Sequence, residues 1–168
     1  MVDKAQVKLE RQQRATEITS LLKKCAPEVL EKYPVEMAYL HGSVARGCPL
    51  PTSDVDIALV LAEVPSPYDR LTLELKIQAA LEDACRLSNL DVRSINQAPV
   101  MVQGQIIQEG VLLYRRDKDQ QIAFEILTRK KYFDYRPIAM RMEQTFFDHI
   151  RQQGLSRGQA KNTRLNSE

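Results

Sequence analysis

The sequence has no tryptophan, only six glycines and three cysteines, and its 24 basic and 22 acidic side chains leave a formal charge of only +2. Scarce glycine, with eight prolines spread over 168 residues and 43% hydrophobic content, excludes a collagen-like, low-complexity or disordered chain. Apolar stretches such as 57–62 fall far short of the roughly 20 residues that cross a bilayer, and Asp3, Lys4 and Lys8 begin no signal-peptide pattern. A cytoplasmic protein without membrane contact is therefore expected. Cys25, Cys48 and Cys85 lack any CxxC spacing and cannot all pair, which argues for free thiols in or near the core rather than a disulfide framework or structural zinc. His41 and His149 are the only histidines and have no second histidine or cysteine at ligand spacing, so zinc is again disfavoured. What remains is enough chain for one domain with a hydrophobic core.

The small net charge hides an asymmetry. Residues 1–114 carry 12 basic and 15 acidic side chains, against 12 and 7 in residues 115–168. A basic C-terminal part either meets an acidic partner or nucleic acid, or forms a solvated helical face with a basic tail. No Lys/Arg cluster with interleaved aromatics accompanies it, which favours the solvated face and no direct nucleic-acid binding.

From Asp3 to about Cys25 there is no Gly or Pro, and Ile18, Leu21, Leu22 and Cys25 recur at helical spacing, with Pro27 marking the end or a new turn. Val35–Leu40 reads as a first strand, with Val35, Met37 and Tyr39 on one side and Glu36, Ala38 and Leu40 on the other. His41–Gly47 is long enough for one helical turn, and Cys48–Ser53, with Pro49 and Pro51, is loop. Asp54–Leu61 is a second strand whose Val55, Ile57, Leu59 and Leu61 share one face. The period of two then points Asp54 and Asp56 the same way. A breaker-free run predicts a helix over Arg70–Leu87, and Asn89–Ile95 a third strand with Asp91 and Arg93 on one face. Pro99 fits the first turn of a helix ending at Gly110, and Val111–Tyr114 is a short strand. Gln120–Ile150 reads as helix in two pieces, broken or kinked before Pro137, and a polar, mobile tail is expected from Gly154. The resulting α/β (α+β) architecture is one domain over 1–150, with a core at about 30–114, C-terminal helices at about 118–150 and a tail over 151–168.

The informative constellation is Gly42-Ser43, ten intervening residues, then Asp54-Val55-Asp56. A strand that ends at a Gly-Ser turn opening a helix offers backbone N–H groups and a hydroxyl to an anion. Two carboxylates on one face of a neighbouring strand repel each other, and a divalent cation removes that penalty. Mg²⁺ prefers oxygen ligands and takes one or two carboxylates plus substrate phosphates, so the cradle and the pair suit a nucleoside triphosphate. Asp91 adds a third carboxylate that either bridges a second metal or takes a proton from an attacking hydroxyl. Arg46, one turn past Ser43, is placed to neutralise a leaving pyrophosphate, and is otherwise a surface residue. Arg93 shares the face of Asp91, where an ion pair would occupy a carboxylate oxygen. His41 sits beside the cradle and is read as structural rather than phosphate-binding, and Tyr132, Phe133 and Tyr135 as core or interface rather than base-stacking platforms.

These residues, within His41-Gly-Ser-Val-Ala-Arg-Gly47 and Ser53-Asp-Val-Asp-Ile57, resemble the signature of the DNA polymerase β nucleotidyltransferase superfamily. Within it the chain is similar to the minimal nucleotidyltransferases, the MntA-type antitoxins of HEPN/MNT toxin–antitoxin pairs. Residues 89–114, with Asp91, Asn96-Gln-Ala-Pro99 and Glu109-Gly-Val-Leu-Leu-Tyr114, resemble that subfamily more loosely. The resemblance implies a polymerase β-like fold, a small mixed sheet flanked by helices with a helical C-terminal segment. It further implies two Mg²⁺ ions and ATP as AMP donor, with Asp54, Asp56 and Asp91 binding metal and Gly42 and Ser43 holding the β and γ phosphates. The implied acceptor is a tyrosine hydroxyl on a cognate HEPN-domain, HepT-type toxin, with which the chain forms a hetero-oligomer as its antitoxin. Two other readings stand beside this one. A small-molecule acceptor, aminoglycoside-like, would use the same chemistry, and a non-catalytic toxin-binding module would use none.

Overall fold

A computed structural model describes residues 4–153. The elements in chain order are α1 (Lys4–Leu30), β1 (Val35–His41), α2 (Gly42–Ala45), β2 (Val55–Leu61), α3 (Pro67–Cys85), β3 (Leu90–Ser94), α4 (Val100–Glu109), β4 (Val111–Arg115) and α5 (Lys118–Gln153). The strands form one mixed sheet in the order β3-β2-β1-β4. β1 runs antiparallel to both β2 and β4, whereas β2 and β3 are parallel, because α3 carries the chain back before β3 begins.

The period of two in the strands sorts the core into two layers. Val55, Ile57, Leu59 and Leu61 pack with Ile18, Leu22 and Leu30 of α1 and with Ile77 and Leu81 of α3. Met37, Tyr39, Ala58 and Val60 face the other way, onto Ile106 and Ile107 of α4 and Phe124 of α5. Each fully buried aliphatic side chain contributes about 1.5–3 kcal/mol, so both layers help to hold the helices onto the sheet. Asp56 shares the α4/α5 face with Ala58 and Val60 and stands half-buried near the start of β2.

Four expectations are corrected. Pro27 lies inside α1, which continues to Leu30; the ring removes one amide donor, yet burial of Ala26, Val29 and Leu30 outweighs that local loss. Pro137 likewise lies within a single helix α5 rather than between two pieces. Val35 joins Ala38 and Leu40 in the α1/α3 layer instead of siding with Met37 and Tyr39, because the pairing shifts between Val35 and Met37. Such a bulge inserts one residue and flips the face of everything before it. Finally, Cys25 and Cys85 are joined as a disulfide between α1 and α3, and only Cys48 remains a free, exposed thiol; three cysteines cannot all pair, but two on packed helices can.

Other features match the sequence closely or shift by a turn. Ser66 caps α3 by accepting from the Asp69 amide at 3.3 Å, so the helix starts at Pro67, ahead of the expected Arg70. Pro99 and Gly110 bound α4 as expected. Tyr132 packs on α4 at Gly104, while Phe133 and Tyr135 of the same helix are exposed. The expected tail from Gly154 lies outside the described residues. No described helix is long and apolar enough to cross a membrane.

Helix α5 is fastened by a polar latch and by one close approach. The Tyr39 hydroxyl donates to Glu125 Oε1 at 3.0 Å, and Gln121 Nε2 donates to the same oxygen at 2.7 Å. Burial first, and then the Glu125 charge, hold the Tyr39 phenol well above its ordinary pKa. At Gly104 a Cβ would collide with the Tyr132 ring. Ala normally favours a helix over Gly by up to about 1 kcal/mol; Gly104→Ala is instead expected to destabilise by about 1–3 kcal/mol through overpacking, measured as a fall in melting temperature.

Candidate active site

The cradle and the carboxylates meet at one end of the sheet. Strand register pairs His41 of β1 with Asp56 of β2, and Asp56 in turn with Asp91 of β3. Neighbouring strands lie about 4.8 Å apart, so these three side chains form a row on the α4/α5 face. Asp54 stands just ahead of β2, exposed, and completes the set. Gly42 begins the turn directly after His41 with φ +72°, and a Cβ there would collide with the Asp56 carboxylate. The glycine is therefore required twice, by backbone conformation and by the approach of an acid. The turn closes on itself through Arg46 N to Gly42 O at 3.2 Å and Cys48 N to Ser43 O at 3.0 Å. Among the described residues the Ser43 hydroxyl enters no hydrogen bond, which leaves it open to a ligand.

Electrostatics mark the row as a place that needs a counter-charge. The Asp56 carboxyl is pushed above its ordinary range, first by burial and then by Asp91 and Asp54, against the opposing pull of His41 and Arg46. His41 is lowered, again chiefly by burial and also by Arg46, although Asp56 and Asp91 oppose the shift. The register sets His41, expected to be structural, in line with the acids.

Arg46 stands at the end of the cradle turn and pairs with Glu109 Oε2 at 3.4 Å, both side chains about half exposed. Glu109 entered the sequence reading only inside a resembling string, and no local signal marks it, since the pair spans 63 positions. Together with His41, Gly42, Val102, Gln105 and Ile106 these two line a cavity of about 190 Å³ beside the row. The expected Arg93–Asp91 pair is present, with Arg93 Nε donating to Asp91 Oδ1 at 2.9 Å. Arg93 also reaches buried Glu74 at 3.7 Å. Its guanidinium is thereby anchored at two points, and Asp91 Oδ2 takes no part in the pair.

Among the described residues no three acidic, histidine or cysteine side chains already form a metal nest. Mg²⁺ keeps waters and takes one or two carboxylates plus substrate oxygens rather than an all-protein cage. Oxygen donors, mutual repulsion and a raised Asp56 all fit such an ion, with Asp54 and Asp56 as the residues to hold it and Asp91 beside them.

The polymerase beta nucleotidyltransferase family matches residues 23–119, a span that contains the cradle, the row and Glu109. The chain belongs to that family. A family relative, protein adenylyltransferase MntA of Shewanella oneidensis, is 26% identical over 98 residues, which cover 58% of this chain and 66% of the relative, just under two thirds of its length. The nucleotidyltransferase fold itself is repeated in solved structures. One, a toxin–antitoxin with AMP-PNP, aligns with a TM-score of 0.52 at 23% identity, covering 81% of this chain and 97% of that one. Another, a tri-AMPylated Shewanella oneidensis HEPN toxin in complex with MNT antitoxin, gives a TM-score of 0.53 at 21% identity, covering 79% and 98%. At these identities the likeness shows the fold alone, a mixed sheet flanked by helices.

Proposed function

We propose that this family member is a Mg²⁺-dependent adenylyltransferase that transfers AMP from ATP to a hydroxyl, a tyrosine on a partner HEPN-domain toxin, and so acts as its antitoxin. The observation that carries nucleotidyl transfer is the row His41, Asp56, Asp91 set against Gly42 and the open Ser43 hydroxyl. The protein acceptor is supported by the relative named protein adenylyltransferase and by the toxin–antitoxin complexes that share the fold.

In this reading Ser43 and the Gly42 backbone hold the β and γ phosphates, and Arg46 exchanges Glu109 for a phosphate oxygen. Asp54 and Asp56 would hold a magnesium ion, which when bound would neutralise phosphate charge. The acceptor oxygen bonds to the α phosphorus as the bond from that phosphorus to the β-bridging oxygen breaks, and pyrophosphate leaves with the electron pair. The hydroxyl proton passes to Asp91 Oδ2, while Arg93 keeps Oδ1 occupied and the carboxylate in one orientation. Phosphoryl transfer depends mostly on alignment and charge, which a site this small can provide.

The test is incubation with Mg²⁺ and ATP labelled on the α phosphate in a lysate of the host, with Asp54→Asn/Asp56→Asn beside it. Label in one discrete protein band with wild type only is the expected result. Label in a small extractable compound would replace the protein acceptor with a drug-like one, and no label in either fraction, with the partner present, would leave a binding module without catalysis.

A further inference from the structure

Outside the row, the first turns of α1 and the end of the cradle turn line a second, open cavity of about 640 Å³. Lys4, Lys8 and Arg11 line it from α1 and Arg46 from the cradle side, with no acidic residue among its walls. Lys4, Lys8 and Arg11 form no ion pair among the described residues. Placing like charges four apart on a helix is destabilising, so Lys4 and Lys8, with Arg11 one turn on, favour an anion between them, while Arg46 at the edge of the trough is already paired with Glu109. The trough adjoins the cradle. Arg46 lines both this cavity and the smaller one beside the row, and Cys48, on the trough wall, is hydrogen-bonded through its amide to the Ser43 carbonyl.

We propose that this trough is a second anion site, for a polyphosphate chain: the pyrophosphate that leaves the cradle, or the tail of a nucleotide with more than three phosphates. The choice among anions follows from the lining. No aromatic ring is present to stack a base, which disfavours a nucleic-acid strand, and the apolar wall is built from Val7, Cys48 and the alkyl stems of the cations, with no large apolar side chain. Three unpaired cations of α1, with Arg46 at the edge, suit a compact, multiply charged phosphate chain. The proposal rests on the cradle reading above for its link to turnover, but the binding it asserts does not require transfer.

Calorimetric titration of the full chain with inorganic pyrophosphate and tripolyphosphate, in chelator without magnesium, tests it. Lys4→Gln/Lys8→Gln/Arg11→Gln is expected to weaken both by about tenfold or more, while Lys4→Arg/Lys8→Arg retains wild-type affinity. Loss confined to these free ions assigns the trough to the leaving group. An added loss of the preference for adenosine 5′-tetraphosphate over ATP assigns it to a longer tail. Equal affinity in wild type and the triple variant overturns the proposal, as does a triple variant that keeps pyrophosphate but loses single-stranded RNA or an acidic peptide. Absence of label transfer with pyrophosphate binding intact would instead count against the catalytic reading and leave the anion site standing.

Discussion

Asp56→Asn is expected to abolish nucleotidyl transfer, by about a thousandfold or more, and at the same time to raise the melting temperature at neutral pH. The loss follows because Asp56 is the middle of the row, flanked in register by His41 and Asp91, and no neighbour can supply its charge from the same place. The gain follows from linkage. The folded Asp56 carboxyl titrates above its ordinary range, with burial as the main cause. Below the unfolded pKa the group is neutral in both states and costs nothing. As pH rises through the folded pKa, the fold must carry a charge that the unfolded chain accommodates more easily, and stability is lost. Asparagine removes that charge, so its benefit is present at neutral pH and fades on acidification. Melting curves of the two proteins at neutral pH and near pH 3 check the sign; a variant less stable at neutral pH would contradict it.

Gly42→Ala is expected to cut transfer by about a hundredfold, while Gly47→Ala leaves it within a few-fold. Both glycines adopt left-handed backbone, with φ +72° and +71°, and each substitution costs about 1–2 kcal/mol of stability for that reason. Only at Gly42 does the new methyl group collide with the Asp56 carboxylate; at Gly47 it would meet Gln12 Cγ at 4.0 Å, an ordinary contact. Displacement of a reacting group by about 1 Å costs on the order of a hundredfold. Thermal melts should therefore show two similar losses and steady-state rates two different ones. Equal rates would mean that Gly42 serves the backbone alone.

Strand and turn signals carried most of the site into view. The alternation over Val55–Leu61 is enough to put Asp54 and Asp56 on one side, and the same rule applied to Leu90 and Val92 places Asp91 and Arg93 together. The Arg93–Asp91 pair was legible because it is local, two residues apart. Contacts across the fold were not. Glu109 meets Arg46 only because α4 ends beside the cradle, and Glu74 meets Arg93 because α3 packs behind β3. The basic trough needs α1 to lie against residues 46–48, which no periodicity can report. Local rules also failed where tertiary burial overruled them, at Pro27, and where one extra residue at Glu36 turned Val35 to the other layer. The Cys25–Cys85 link belongs to the same class, since it depends on two helices meeting.

The direction of the strands has a further consequence for how much change the protein tolerates. His41 ends β1, whereas Asp56 and Asp91 lie near the starts of β2 and β3, so everything named in the site is hemmed along one rim of the sheet. The opposite rim, at Val35, Leu61, Ser94 and Arg115, carries none of it. Connections on that side, above all residues 62–65 between β2 and the Ser66 cap of α3, lie away from every reacting group, so lengthening them or inserting a module there is expected to leave transfer unchanged. Chemistry and variability are thus assigned to different borders of the same sheet.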